Sequence, residues 1–532
     1  MGFCFVPVRL LQTLADLSDW RRGQAGRPLH FVPTMGSLHE GHQQLLRRAS
    51  AAVPAGRPAV LLSVFVNPLQ FGPSEDFARY PRDLAADAAL GAAAGADALF
   101  APSVAELFPG GEAELTAVVP PAGLRRSLCG PGRPGHFEGV ATVVCRLLAL
   151  VRPDRLLLGE KDWQQLTILR RVVNDLALPV TVQGCATVRE ADGLACSSRH
   201  RYLSATERGQ AAALPAALQA ALTLWRGGSG SAEALTAAVS GALEAAGLGV
   251  EYVQLVHPLT LASVPATTGI SLLAAAARCG STRLIDHIFL MNRPPIVAID
   301  GPAGAGKSTV TRAFARRLGL VYLDTGAMYR ALTWWVLHRG VDPADPTAIA
   351  PLLDDLDLRL ETDAAGEQRV RVNGHEVSAA IRGPEVTSQV STVAAHACVR
   401  AALTRQQQAM GRRGGLVAEG RDIGTAVFPE AECKVFLTAT VAERARRRAA
   451  DLAQRGFDVP ALAELEAQIA ERDHRDSSRA EAPLRQADDA VELVTDGLAI
   501  DAVIQRLVDL FRERVPEDAW RGPSPLQESE TP

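Results

Sequence analysis

The 532-residue sequence lacks several marks of specialised proteins. Its eight cysteines form no C-x-x-C pair, which argues against a zinc knuckle or a disulfide framework and for reduced, buried thiols used in packing. No stretch of about 18 uninterrupted apolar residues occurs, so a membrane span is not expected. The opening Met1-Gly2-Phe3-Cys4-Phe5-Val6 has neither the longer apolar run of a signal peptide nor a Ser or Thr at Val6 for myristoylation, and a cytoplasmic location is expected. There is no internal repeat. Charge of one sign is not in surplus either: 55 basic against 59 acidic residues leave a net charge of -4, with no global positive field to gather nucleic acid.

What is present is ordinary globular composition, 47% hydrophobic and 21% charged. At roughly 150 residues per domain, a chain this long should hold three or four compact units. Over residues 1–203, short apolar runs such as Ala59 to Val66 and Arg155 to Leu158 alternate with longer helical stretches, the βαβ rhythm of a parallel sheet. Residues 204–290 are alanine-rich and read as a smaller, mainly helical domain with one strand around Tyr252 to His257. Asn292-Arg293-Pro294-Pro295 breaks the pattern, and Ile296 to Asp300 opens a third domain, residues 291–516. That domain carries a β-rich insert, Asp357 to Val377, turning at Asn373-Gly374. Residues 517–532 are polar and proline-containing and read as a disordered tail.

Pro33-Thr34-Met35-Gly36-Ser37-Leu38-His39-Glu40-Gly41-His42 contains an H-x-G-H pattern near a helix start. A donating or protonated imidazole there can stabilise charge on an α-phosphate. The competing zinc-hydrolase helix needs a second histidine four residues after the first, where Gln43 stands. Alone, two such histidines often do no more than fill a helix turn.

Further segments follow in order: Phe65-Val66-Asn67-Pro68-Leu69-Gln70-Phe71, Leu128 to Val144 with Arg133-Pro134-Gly135-His136-Phe137, Gly159-Glu160-Lys161-Asp162, Thr187-Val188-Arg189-Glu190 to Ser197-Ser198-Arg199, and Thr282-Arg283-Leu284-Ile285-Asp286. Together they resemble pantothenate synthetase, the pantoate–β-alanine ligase, over about 290 residues. The resemblance implies a Rossmann-like nucleotidyltransferase domain with a smaller α+β domain, and a reaction through pantoyl adenylate. It assigns Met35, Gly36, Ser37, Leu38, His39, Glu40, Gly41 and His42 to ATP, with His42 the catalytic acid or donor and His39 holding phosphates. Gly159, Glu160, Lys161, Asp162, Val188, Cys196, Ser197, Ser198 and Arg199 also fall to ATP, Lys161 catalytically and Asp162 with its magnesium. Gln70 and Gln165 fall to pantoate and β-alanine; an amide can donate to one substrate oxygen and accept from a hydroxyl. An exposed salt-bridging lysine and surface glutamines are the plain alternatives for Lys161, Gln70 and Gln165. Cys196 stands where methionine is expected, and His200 where asparagine is common.

Gly301-Pro302-Ala303-Gly304-Ala305-Gly306-Lys307-Ser308, placed between a strand and a helix, matches the P-loop. Gly301, Gly304, Gly306 and Thr309 belong to the phosphate cradle, Lys307 spans β- and γ-phosphates, and Ser308 can coordinate magnesium. Three later segments narrow the acceptor: Asp324 to Arg330, Glu419-Gly420-Arg421-Asp422-Ile423-Gly424-Thr425, and Glu471 to Arg479. With the P-loop they resemble bacterial cytidylate kinase over about residues 294–515. The resemblance gives Thr325, Arg330, Arg421, Arg472, Asp476 and Arg479 to the phosphate and ribose of CMP or dCMP, and Ser391, Arg400 and Asp422 to the base. A carboxylate at Asp422 suits the cytosine amine and meets a carbonyl in uracil. The spacing of Arg472, Asp476 and Arg479 predicts one helical face, and Arg472, Arg475 and Arg479 a closing lid. The run Arg444 to Arg448 reads as a solvated charged face, and Ala397 replaces an expected proline.

The resulting expectation is an α/β, bifunctional, magnesium- and ATP-dependent enzyme, dimeric through its first half as that resemblance implies. Adenylation of a different carboxylate and a regulatory module without catalysis are the alternatives; Gln70 and Gln165 argue against the first, and His42, Lys161 and Lys307 against the second.

Overall fold

The computed structural model describes residues 8–53, 56–73, 75–111, 114–362, 368–454, 456, 458–479 and 481–520. The amino-terminal hexapeptide and most of the expected tail lie outside these residues. The chain divides into two compact units, Met1–Asn292 with Val515–Pro532, and Arg293–Arg514.

The first unit is built on six parallel strands: β1 (Arg9–Leu11), β2 (Leu29–Thr34), β3 (Ala59–Val64), β4 (Ala98–Phe100), β5 (Arg155–Gly159) and β6 (Thr181–Cys185), in the order β1-β4-β3-β2-β5-β6. Apart from the edge strand β1, their residues are almost continuously buried, as strands covered on both faces require. From β2 the chain proceeds outward through β3 and β4, then returns to β2's other side with β5 and β6. The order therefore reverses between β2 and β5, and the crevice at their carboxyl ends is where open α/β sheets bind ligands.

A second, antiparallel sheet joins β7 (Gly249–Val256), β8 (Ile270–Cys279) and β9 (Thr282–Met291). Here the structure corrects the mainly helical reading of residues 204–290. Ala274, Ala275, Ala276 and Ala277 favour helix by propensity, yet they lie buried within β8. Small side chains let the helices Ala213–Arg226 and Ala232–Ala245 pack on one face through Leu214, Leu218 and Val239. The opposite face meets the first core, where Trp163 lies edge-on to Phe289 and donates from its indole N–H to the Pro258 carbonyl at 2.8 Å.

The second unit has five parallel strands: β10 (Ile296–Asp300), β11 (Val321–Asp324), β15 (Leu416–Gly420), β16 (Cys433–Thr438) and β17 (Val491–Val494), ordered β11-β15-β10-β16-β17. The insert forms a small antiparallel sheet of β12 (Leu358–Thr362), β13 (Gln368–Val372) and β14 (His375–Glu376), the last two joined through Asn373 and Gly374, both at positive φ. The tail reading needs correction too: Val515 is fully buried and Glu517–Trp520 is a short helix belonging to the first unit. Its acidic residues find hydrogen-bonded partners there, which local polarity could not reveal.

Candidate active sites

The ends of β2, β3, β5 and β6 deliver their loops to one cleft of about 380 Å³. Met35, His39, Gly41, His42, Gln70, Gly159, Lys161, Asp162, Gln165, Val188 and Cys196 to Arg199 all line it. Gly36, Ser37, Leu38, Glu40 and Glu160 do not. The backbone N–H groups of Ser37 and Leu38 instead donate to Asp87 at 2.9 and 2.7 Å. Glu40 pairs with Arg47, and Glu160 is buried with its carboxylate turned to the backbone of Glu517 and Asp518.

His39 and His42 lie with ring centroids 4.0 Å apart. Burial, then the charge of Lys161 against the opposing pull of Asp162, leaves His42 at about 4. Burial and the neighbouring His42 and Lys161 hold His39 down to about 2. Both rings are neutral near pH 7, so the donating imidazole replaces the protonated one. The His39 backbone N–H donates to His42 Nδ1 at 3.4 Å, which leaves Nε2 to carry the ring proton. Lys161 is mostly buried on the cleft wall, 3.7 Å from the more exposed Asp162 carboxylate.

Gln70 is fixed in the cleft wall by three contacts. Asn67 Nδ2 donates to its Oε1 at 3.1 Å, its own Nε2 faces the Met35 sulfur at 3.2 Å, and the His136 ring bonds its carbonyl at 2.8 Å. The turn Pro68–Gln70 rests on the helix His136–Val151 at Gly139, where a Cβ would stand 2.1 Å from the Leu69 oxygen; only glycine fits. Arg133 pairs bidentately with Glu75, both contacts at 2.7 Å, and Arg199 with Asp76 at 3.0 Å. These pairs escaped sequence reading because their partners lie 58 and 123 residues apart. Cys196 bonds through its N–H to Val188 at 2.9 Å; burial and then Glu190 push its thiol up to about 11, consistent with a packing role. His200 bonds Glu190 at 2.7 Å.

In the second unit the loop after β10 wraps the start of the helix Lys307–Leu318. At Gly301 a Cβ would meet the Leu437 oxygen at 2.0 Å, so the loop lies against β16 only with glycine there. Gly304 and Gly306 have positive φ, and Thr309 lies in the helix's first turn. Lys307 Nζ donates to the carbonyls of Gly301 and Pro302 at 2.7 and 2.8 Å, leaving one of three ammonium protons for a phosphate. Burial, then the charge of Arg421, lowers its pKa. Ser308 Oγ donates to Glu419 Oε1 at 2.6 Å. Two hard oxygens side by side at a phosphate loop fit magnesium, whose remaining positions are ordinarily filled by phosphate and water.

Thr325 Oγ1 donates to the Glu419 carbonyl at 2.7 Å, Arg330 pairs with Asp324 at 3.0 Å, and Arg421 with Asp476 at 3.0 Å. Asp422 is buried between Arg400, which bonds it, and Arg479 at 3.6 Å. Burial, then Arg421, lowers the Arg472 pKa. The helix Leu462–Ser478 stops before Arg479, whose backbone is extended, so the predicted single face holds only Arg472 and Asp476. Arg475 is exposed and pairs with Glu471. Ser391, on the helix Pro384–Ala395, makes no side-chain bond to this cluster among the described residues. Ala397 begins a new helix after the break at His396, the position an expected proline would occupy, and Arg400 follows one turn later.

The basic run is only in part a solvated face: Arg446 and Arg448 are exposed, but Arg444 and Arg447 turn inward. Arg444 is 3% exposed, bonds Asp473 at 3.0 and 2.5 Å, and donates to the P-loop carbonyl of Ala303 at 3.1 Å. Arg447 reaches the Ala305 carbonyl at 3.4 Å and the Thr495 carbonyl at 2.7 Å. Charge clustering in sequence gave no sign that partners from the end of β17 onward and from the helix Leu462–Ser478 would enclose it.

Residues 9–289 match the family model of pantoate-beta-alanine ligase, and residues 297–513 that of cytidylate kinase. The bifunctional pantoate ligase/cytidylate kinase of Parasynechococcus marenigrum (strain WH8102) is 63% identical over 97% of this chain and 100% of its own length. The chain belongs to the bifunctional pantoate ligase/cytidylate kinase family. Its relative of that name in Synechococcus sp. (strain CC9902) is 66% identical over 92% of this chain and 100% of the relative. The solved pantothenate synthetase from Thermus thermophilus is 46% identical, covers 53% of this chain and 99% of its own, and has a TM-score of 0.49. The first unit is thus the pantoate ligase and the second the cytidylate kinase, both users of ATP. No helix among the described residues is long and apolar enough to cross a membrane.

Proposed function

We propose that the cleft between the ends of β2 and β5 joins pantoate to β-alanine in two displacements. A pantoate carboxylate oxygen, held by Gln70 and Gln165, attacks the α-phosphorus of ATP; the α–β bridging bond breaks and pyrophosphate leaves. The β-alanine nitrogen then attacks the acyl carbon of pantoyl adenylate, loses a proton, and expels AMP. His42 donates from Nε2 and Lys161 offers positive charge where phosphate oxygens gain negative charge, the step that such groups accelerate most. The observation carrying this reading is the convergence of Met35, His42, Gln70, Lys161 and Gln165 on one cleft at the sheet's switch point.

In the second unit, a phosphate oxygen of CMP or dCMP attacks the γ-phosphorus of ATP and ADP departs. Arg330, Arg421, Arg472 and Arg479 gather the acceptor phosphate, Arg400 and Asp422 meet the base, and Lys307 tracks the transferred group. Ser308 with Glu419 here, and Asp162 in the ligase, would hold magnesium, which would screen phosphate charge. Cytoplasmic ATP supplies both reactions, and the ligase unit pairs with its copy in a dimer.

The test is a paired assay of the full chain with ATP and magnesium: pantothenate from pantoate and β-alanine, and CDP from CMP with UMP as control. Both products, with little UDP, are expected. Robust turnover in one assay and none in the other would refute the proposed site in the silent unit.

A further inference from the structure

The chain leaves the ligase at Asn292, builds the kinase, and comes back to the ligase at Val515. The returning segment bonds to three of the elements that carry the nucleotide motifs. The N–H groups of Glu517 and Asp518 donate to the two carboxylate oxygens of Glu160, both at 2.9 Å. Asp518 accepts from the Thr187 N–H at 3.1 Å and from its hydroxyl at 2.6 Å. Glu517 accepts from Arg48 Nη2 at 3.1 Å. Glu160 immediately precedes Lys161, Thr187 precedes Val188, and Arg48 lies on the helix that contains His42. Ala519 adds packing against the ligase core.

Energetics give these contacts weight. Glu160 is 1% exposed, and a carboxylate so enclosed must have its oxygens satisfied or be forced to move. Burial and the adjacent Asp518 raise its pKa, while the two N–H bonds oppose that shift. Loss of the segment would leave donors and acceptors open directly behind Lys161 and Val188. A turn that relaxes there by a fraction of an ångström displaces groups that must meet phosphate, and misplacement of this kind is costly to rate.

We propose that Glu517 and Asp518 are positioning residues of the ligase: encoded after the kinase, they hold the Gly159–Asp162 and Thr187–Val188 turns in the shape that receives ATP. This rests on the assignment of Lys161 and Val188 to ATP. A ligase half cut off at residue 292 is therefore an incomplete enzyme.

The experiment compares the full chain with a chain stopped after Arg514, with Asp518→Ala, Asp518→Asn and, as control, Lys161→Ala. Pantothenate and CDP formation are measured on the same samples while ATP is titrated. The stopped chain and Asp518→Ala should show a KM for ATP raised about tenfold in the ligase reaction, with KM for pantoate and CDP formation within about twofold of the parent. Asp518→Asn, which keeps a side-chain oxygen for Thr187, should recover most of the loss. Unchanged ligase kinetics in both the stopped chain and Asp518→Ala overturn the proposal, as does parallel loss of both activities. If the stopped chain does not fold, the two Asp518 variants decide. A harmless Lys161→Ala would instead overturn the ATP assignment beneath it.

Discussion

Asp87, on the helix Leu84–Ala93, accepts the Leu38 backbone N–H at 2.7 Å and so fixes the loop that presents His39 and His42. It also takes the Ser37 N–H, and Ser37 has a positive φ that the loop must sustain. Asp87→Ala leaves two buried donors unmet, a cost of about 1–3 kcal/mol each, concentrated in the loop that leads to His39 and His42. Pantothenate formation should fall about tenfold or more with CDP formation intact, as steady-state assays of both reactions would reveal. Equal rates in the variant would mean the loop holds itself.

Acid should affect the ligase through its buried histidines. His42, His136 and His287 sit at about 4, each chiefly because burial disfavours the charged ring. The unfolded chain binds protons to these rings from about pH 6.5 downward, so the unfolded state gains as pH falls. Their contribution to stability is present above pH 6.5 and is lost progressively toward pH 4. Thermal melts of the full chain should show an earlier ligase transition across that window. The acid limb of pantothenate formation should lie nearer 4 than 6.5; a limb at 6.5 would show that His42 titrates as a solvated ring.

The two sites should fail separately. Lys307→Ala removes the ammonium of the phosphate loop and should abolish CDP formation while sparing pantothenate. His42→Ala should do the reverse, costing about 100- to 1,000-fold in the ligase. Coupled failure in a folded protein would contradict independent chemistry.

Arg444→Met keeps the stem and deletes the guanidinium that ties Ala303 to Asp473. Breaking a buried pair from one side costs about 3 kcal/mol, so the kinase transition in a thermal melt should move down and CDP formation with it. Arg444→Lys should recover little, since one ammonium cannot span the same partners. Wild-type behaviour in either variant would restore the solvated reading of the basic run.

Legibility in the sequence followed the range of the interaction. Lys307, Gly301 and the strand before them form a local unit whose chemistry demands its spacing, and the loop appears where the pattern placed it. His39 and His42 were legible for the same reason. Asp87, Glu75 and Asp76 were not, because each is chosen by a partner brought near only by the finished sheet. Ala274 to Ala277 misled because helix propensity is weak beside the demand for small residues in a strand packed on both faces. Arg444 misled because charge in sequence says nothing about enclosure.

The return of the chain at Val515 bears on how the protein is made. A ribosome completes the sheet, the cleft and every cleft-lining residue of the ligase well before it reaches the segment that satisfies Glu160. The first unit to be started is thus the last to be finished, and translation that ends early leaves that buried carboxylate without those two donors.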